Sequence, residues 1–163
     1  MKISGFTFLR NTSKLYYPIL ESIQSALPIV DEFVIALGKG DDDDDSEAKI
    51  RSLQSGKIKI IHTEWDTEKY PQGMEHAHQT DIAKEACSGD WLLYLQGDEL
   101  IHEQDYNEIK TKCKQYLNNA NVDRMIPIWQ EKNIGIFMKI AIIFCPKFQQ
   151  CLMGNMILIL SEF

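Results

Sequence analysis

Residues 89–99 read Gly-Asp-Trp-Leu-Leu-Tyr-Leu-Gln-Gly-Asp-Glu, an apolar run held between two polar segments. The run over residues 91–95 has the length of a buried strand. It ends abruptly in the polar segment over residues 96–99, which carries two carboxylates. We therefore predict a central strand over residues 91–95 that presents acidic side chains at the edge of a sheet.

Three more apolar runs of strand length lie upstream, and helical patterns separate them. The strands are predicted over residues 3–9, 33–37 and 58–62. Apolar residues spaced by three and four predict helices over residues 15–27, 46–53, 75–87 and 104–117. Pro18 is expected in the first helical turn, where its missing N–H costs little. This alternation predicts an α/β fold, a mainly parallel Rossmann-like sheet flanked by helices.

Polar residues cluster where such a sheet would bind a ligand. In parallel sheets ligands bind beyond the carboxyl ends of the strands. The segments that follow the predicted strands are 10–11, 38–45, 63–66 and 96–99, and they are rich in acidic and amide side chains. The sequence therefore predicts a polar binding site at this edge.

The acidic residues of these segments allow two interpretations each. The five aspartates of residues 41–45 form a solvated loop, or one or two of them hydrogen-bond ribose or base groups. Asp98 and Glu99 cap the next segment, or they hold a divalent cation such as Mg²⁺ or Mn²⁺ beside a substrate diphosphate.

Composition excludes several classes of protein. The net charge of −7 and the pI near 5.1 disfavour nucleic-acid partners, because phosphate neutralisation needs clustered Lys and Arg. The spacing of Cys87, Cys113, Cys145 and Cys151 suits neither a zinc site nor a disulfide framework.

Residues 1–14 lack the pattern of a signal peptide, so we predict a cytoplasmic protein. No G-x-S-x-G, P-loop or G-x-G-x-x-G motif is present.

The composition changes near residue 121. Residues 121–163 carry four Lys or Arg against three Asp or Glu, among the apolar runs 134–145 and 152–160. Each run is shorter than the ~18–20 residues that a membrane span needs, so no transmembrane span is predicted. We expect a buried strand or exposed apolar surface there, with oligomerisation as one way to cover it. A truncated or frameshifted reading frame would produce such a tail.

Five segments together resemble one known family. They are Phe8-Leu9-Arg10-Asn11, Val30-Asp31-Glu32-Phe33-Val34-Ile35, residues 38–43, Gln79-Thr80-Asp81-Ile82-Ala83 and residues 89–99. In order and spacing they resemble the first strand, the V-D-E strand, the acidic nucleotide loop, the Q-R-N-x-A helix and the G-D-W…D-x-D-E strand of family 2 inverting glycosyltransferases of the GT-A fold. The resemblance covers about residues 1–120 and divides the chain into a nucleotide-sugar-binding GT-A half and an atypical tail over 121–163.

The resemblance implies a donor site and a chemistry. The residues it assigns to nucleotide-sugar binding are Leu9, Asn11, Gly38, Asp41, Asp43, Gln79, Asp81, Gln96 and Asp98. It places Asp98 and, beside it, Glu99 at a divalent metal, Mn²⁺ or Mg²⁺. The metal would stabilise the departing nucleoside diphosphate while a general base deprotonates a hydroxyl of a glycan or another acceptor, with inversion at the anomeric carbon.

The chain departs from the family pattern in three respects. Gln96 stands at the first Asp of D-x-D and is a weaker metal ligand than a carboxylate. Thr80 and Asp81 replace the Arg and Asn of Q-R-N. The second half, which supplies the acceptor site and the base, has no counterpart here, so no catalytic base is assigned. Two alternatives remain open: a non-catalytic nucleotide-binding module or relic, and a nucleotidyltransferase, for which Arg10 after the first strand is the only support.

Overall fold

Strands and helices alternate along the chain in the computed structural model, which describes residues 1–118, 124–125 and 142–144. The strands are β1 (Ile3–Leu9), β2 (Glu32–Gly38), β3 (Ile58–Thr63), β4 (Trp91–Tyr94), β5 (Arg124–Met125) and β6 (Ile142–Phe144). The helices are α1 (Ile19–Ala26), α2 (Ser46–Ser52), α3 (Met74–Glu85) and α4 (Tyr106–Tyr116), the last preceded by a 3₁₀ turn over Glu103–Asp105.

The six strands form one sheet in the order β3-β2-β1-β4-β6-β5. β3, β2, β1 and β4 are parallel, with Phe6 opposite both Val34 and Tyr94. β6 runs antiparallel to β4, and β5 antiparallel to β6. The predicted α/β class is confirmed, and the predicted strand over 91–95 lies inside the sheet between β1 and β6.

Side chains alternate between two apolar layers. Leu9, Leu37 and Leu93 point to the larger layer, which also contains residues of α1, α2 and α4. Phe6 and the even-numbered apolar residues of β2 and β4 point to the smaller layer, under α3. Both faces are therefore covered, as the continuous apolar runs of the strands require.

The first helix begins four residues later than predicted. Residues 11–18 form a loop in which Asn11 and Tyr16 have positive φ, and Tyr16 is 92% exposed. Pro18 precedes the helix instead of lying in its first turn, and its carbonyl accepts the first helical bond from Ser22 N–H at 2.9 Å. The loop forms in place of a helical turn because it has a backbone hydrogen bond of its own, from Tyr17 N–H to Thr12 O at 3.1 Å. An α-helix over these residues would lose that bond.

The apolar tail is described only where its backbone pairs with the sheet. Residues 142–144, from the predicted run 134–145, pair with β4. The run 152–160 lies outside the described residues. No helix in the described part of the chain has the length and apolar character needed to cross a membrane.

Candidate functional site

Asn11 joins the loops that follow β1 and β2. Its side-chain Oδ1 accepts the N–H of Asp41 at 2.9 Å, and its own N–H donates to Asp44 Oδ2 at 3.2 Å. Its φ of 52° lies in the left-handed region, which asparagine tolerates better than most residues. Two predicted site residues, Asn11 and Asp41, are thus in direct contact at the carboxyl edge of the sheet.

Four of the five aspartates at this edge contact neighbouring lysine or serine residues. Lys14 Nζ lies 2.6 Å from Asp41 and 2.9 Å from Asp43. Asp44 accepts the N–H and hydroxyl of Ser46, and Asp45 accepts the hydroxyl of Ser13. Hydrogen bonding to Lys14 lowers the pKa of Asp41, so this carboxylate stays ionised. The run folds back on the β1 loop, and much of its charge is balanced locally.

A hydrogen-bonded pair of buried hydroxyl groups lies at the same junction. Thr12 and Ser46 are almost wholly buried, with their hydroxyl oxygens 2.6 Å apart. Thr12 N–H also donates to Ser46 Oγ at 3.1 Å. The sequence gives no signal for this contact, because its partners are 34 residues apart.

An open cleft of about 480 Å³ lies beyond the ends of β2 and β3. Its volume is within the range of ~300–1,000 Å³ typical of ligand sites. The lining residues are mostly polar: Leu37, Gly38, Lys39, Gly40, Asp41, Asp44, Glu47, His62, Thr63 and Glu64. Of the predicted site residues, Gly38 and Asp41 line it, and four of the lining side chains are carboxylates.

His62 and Glu47 link the two sides of this cleft. His62 Nε2 lies 2.9 Å from Glu47 Oε2. Hydrogen bonds from His62 and then Arg51 lower the pKa of Glu47. The carboxylate therefore joins α2 to β3 and adds negative charge to the cleft.

An aromatic cluster beside the cleft explains why residue 38 is a glycine. A Cβ on Gly38 would lie 2.7 Å from Cδ1 of Trp65 and closer still to its Nε1. The Trp65 ring also contacts Phe8 and His76, with ring centroids 6.0 and 5.2 Å away. Sequence reasoning marked segment 63–66 but did not single out Trp65, since nothing local shows that its ring packs on the end of β2.

Gln79 and Asp81 lie on α3 and do not line the cleft. Gln79 is fully buried, accepts the Thr63 hydroxyl at 2.6 Å and donates to Glu75 Oε1 at 2.7 Å. Glu75 in turn accepts Asp66 N–H at 3.2 Å. Asp81 pairs with Lys84 at 2.6 Å. In this structure Gln79 anchors the loop between β3 and α3, and the predicted donor-binding role of both residues stays a prediction.

The turn after β4 is seated on the end of β1. A Cβ on Gly97 would lie 2.9 Å from Cδ2 of Leu9, so Leu9 packs directly against this turn. Glu99 is only 2% exposed, and its Oε2 accepts Gln96 N–H at 2.8 Å. Gln96 and Asp98 are exposed. The buried Glu99 therefore shapes the turn that presents Asp98 at the same edge as Asn11.

The described part of the chain offers few side chains that could bind a metal ion. Within the described residues, no three His, Cys, Asp or Glu side chains are close enough to hold a metal ion together. Asp98 offers one exposed carboxylate, a hard oxygen ligand. Mg²⁺ is commonly held by one or two carboxylates together with substrate phosphates, so Asp98 fits a metal that is bound jointly with a diphosphate.

The chain has the GT-A-like α/β fold of known structures. TarS from S. aureus, residues 1–349 in complex with UDP, matches with a TM-score of 0.52 and 19% identity over 82% of this chain and 37% of that chain. Another TarS structure matches with 0.50 and 16% identity over 77% and 21%. Glucosyl-3-phosphoglycerate synthase from Mycobacterium tuberculosis with UDP gives 0.48 and 21% identity over 80% and 45%.

The match to TarS with UDP confirms the fold expected from the family resemblance. The chain spans about a third of the length of the TarS 1–349 chains that it matches. No protein-family model matches the sequence, and no curated protein matches it.

Proposed function

We propose that this chain is the donor-binding half of an inverting glycosyltransferase, and that its carboxyl edge binds the nucleoside diphosphate of a nucleotide-sugar. The observation that carries the proposal is the junction made by Asn11, which holds the β1 and β2 loops together beside the cleft. Asp98 follows the neighbouring strand and faces the same edge. TarS, which has been solved with UDP, shares this fold.

The polar groups of the cleft suit a nucleoside. Carboxylates such as Asp41 and Glu64 accept hydrogen bonds from ribose hydroxyls and from base N–H groups. The donor site that we propose retains all predicted residues: Leu9, Asn11, Gly38, Asp41, Asp43, Gln79, Asp81, Gln96 and Asp98. Leu9 and Gly38 act through packing, since they seat the β4 turn and the Trp65 ring.

Asp98 is the proposed metal ligand, and Glu99, which was also predicted at the metal, is buried and holds the turn. A divalent cation, Mn²⁺ or Mg²⁺, would supply Lewis-acid stabilisation of the leaving diphosphate when bound. The acceptor is a hydroxyl group of a glycan or another molecule, and no described residue is assigned as its general base. We place the protein in the cytoplasm and residues 1–120 in the donor-binding unit.

Calorimetric titration with UDP, GDP and CMP, each with and without Mn²⁺, tests the proposal. We expect UDP or GDP to bind more tightly than the monophosphate CMP, and Mn²⁺ to raise the affinity about tenfold, which corresponds to ~1.4 kcal/mol. Asp98→Asn keeps the size of the side chain and should abolish the Mn²⁺ effect. Glu85→Gln is the matched control, an exposed acid at the end of α3, and should leave the effect intact.

Two results would count against the proposal. If neither UDP nor GDP binds in either condition, the donor-site assignment is wrong. If Asp98→Asn binds nucleotide with an unchanged Mn²⁺ effect, the metal assignment is wrong and Asp98 is only a turn residue.

A further inference from the structure

Arg10 is held at the carboxyl edge by two loops. Its Nε donates to the carbonyl of Lys39 at 2.9 Å, in the loop after β2. Its guanidinium carbon lies 5.3 Å from the centroid of the Trp65 ring, in the loop after β3. Trp65 is itself fixed between Phe8, His76 and Gly38. The guanidinium plane is therefore oriented before any ligand arrives.

The charge of Arg10 is not used by an ion pair. The neighbouring Lys14 and Lys49 each form an ion pair with a carboxylate, and the His62 ring contacts Glu47. In the part of the chain that the structure describes, Arg10 forms no ion pair, and its two terminal nitrogens make no hydrogen bond. Arg10 thus presents two N–H-bearing nitrogens at an edge where Lys14 and Lys49 are paired, while Lys39 lines the cleft.

The strand order places Arg10 between the two ends of the proposed donor site. The cleft lies beyond β2 and β3, and Asp98 follows β4. β1 lies between β2 and β4, and Arg10 directly follows β1. A nucleotide with its nucleoside in the cleft and its terminal phosphate toward Asp98 must pass over the end of β1.

We propose that Arg10 binds the diphosphate of the donor through its terminal nitrogens and that Trp65 is its positioning residue. This inference rests on the proposed function and adds the group that neutralises phosphate charge. A planar guanidinium matches phosphate oxygens with two parallel hydrogen bonds. Gln96 stands where the family pattern has an acid, and it adds no negative charge that would bind a metal. Cations of the protein must therefore neutralise more of the diphosphate charge. Because the Trp65 ring already holds the guanidinium in place, Arg10 loses less conformational entropy when it binds the diphosphate.

Comparing nucleotides with nucleosides isolates this contribution. We would measure the affinity of UDP and GDP by calorimetry, and that of uridine and guanosine by competition. Arg10→Gln should weaken diphosphate binding by 10- to 100-fold and leave nucleoside binding within twofold. Arg10→Lys, which keeps charge but loses the planar pair of donors, should recover only part of the loss.

Trp65 and a matched control complete the test. Trp65→Phe keeps an aromatic face under Arg10 and should reduce UDP affinity less than Trp65→Leu, and in both variants the loss should be larger for UDP than for uridine. Lys69→Gln is the control, because Lys69 also lies over an aromatic ring, 5.0 Å from that of Tyr70 in the same loop, but does not line the cleft. It should leave all affinities within twofold. Circular dichroism checks that each variant is folded.

The outcomes separate this inference from the proposed function. If the wild-type chain prefers UDP or GDP to its nucleoside and Arg10→Gln keeps that preference, the role of Arg10 is wrong while the donor site stands. If Arg10→Gln weakens nucleoside and diphosphate equally, Arg10 is a structural residue and the inference is overturned. If the wild-type chain binds neither nucleotide, the inference and the proposed function both fail.

Discussion

Three acidic residues in the family-like motifs stabilise the edge of the sheet opposite the candidate site. Asp31 Oδ2 accepts Ile3 N–H at 2.8 Å, and Asp90 Oδ2 accepts Lys2 N–H at 2.8 Å. Glu32 Oε1 accepts the Ser4 hydroxyl at 2.6 Å and Ser88 N–H at 2.7 Å. These carboxylates pair with backbone and hydroxyl groups at the start of β1 and before β4, so their role here is structural.

Glu32 should make the fold sensitive to acid. Burial alone would raise its pKa, but the hydrogen bonds from Ser4 and Ser88 and the charge of Lys2 outweigh burial and lower the pKa from 4.5 to about 2. Because the folded pKa is below the unfolded one, this stabilisation is complete above pH 4.5 and is lost as the pH falls toward 2. Its upper limit is about 3 kcal/mol.

Urea unfolding between pH 2 and pH 7 measures this contribution. Glu32→Gln keeps an oxygen acceptor for Ser4 but does not titrate, so its stability should fall less than that of the wild type below pH 4.5. Glu108→Gln, an exposed acid on α4, is the control and should follow the wild-type curve. A Glu32→Gln curve parallel to the wild type would contradict the assignment.

The loops after β2 and β3 depend on one another through Gly38. Its φ is not positive, so a substitution there acts through space and not through backbone strain. In Gly38→Ala the new methyl group must displace the Trp65 ring, and with it the support of Arg10. We expect a loss of stability of ~1–3 kcal/mol, a shifted Trp65 indole N–H resonance and weaker UDP binding.

Gly56→Ala gives a matched control for that substitution. A Cβ on Gly56 meets nothing within 4 Å, and its φ is ordinary. This variant should be neutral or slightly stabilised, by up to ~1 kcal/mol, through a less flexible unfolded chain. If Gly38→Ala behaves like Gly56→Ala in both stability and nucleotide affinity, the packing of Trp65 on β2 does not support the site.

The strands could be predicted because buried parallel strands leave continuous apolar runs in the sequence. The start of α1 could not, since Leu15 continues the helical spacing while hydrogen bonds of the 11–18 loop decide the backbone. The contact of Asn11 with Asp41 followed from the shared carboxyl edge. The contacts of Thr12 with Ser46 and of Arg10 with Trp65 join residues far apart in sequence, so no local pattern indicates them.

At the scale of the whole molecule, the net negative charge of the chain disfavours binding of the anionic ligand that we propose. The chain carries a net charge of −7, and four carboxylates line the cleft. Such a field repels a diphosphate at long range. Binding must therefore depend on short-range groups, and Arg10 together with a cation at Asp98 would supply them at the two sides of β1.

The whole chain should bind a donor without transferring its sugar in repeated turnovers. Inversion needs a base on the side of the sugar opposite the leaving diphosphate, and the groups proposed here to hold the diphosphate, Arg10 and Asp98, occupy the leaving side. We expect incubation with UDP-glucose, Mn²⁺ and a mixture of glycans to release no more than one UDP per chain over hours, measured by a coupled UDP assay. A heat-denatured sample sets the background, and the Asp98→Asn variant identifies release that depends on the metal site. Multiple turnovers with glycosylated product would contradict the prediction and place a base within this chain, with Asp123, Glu131 and Glu162 as the first carboxylates to replace.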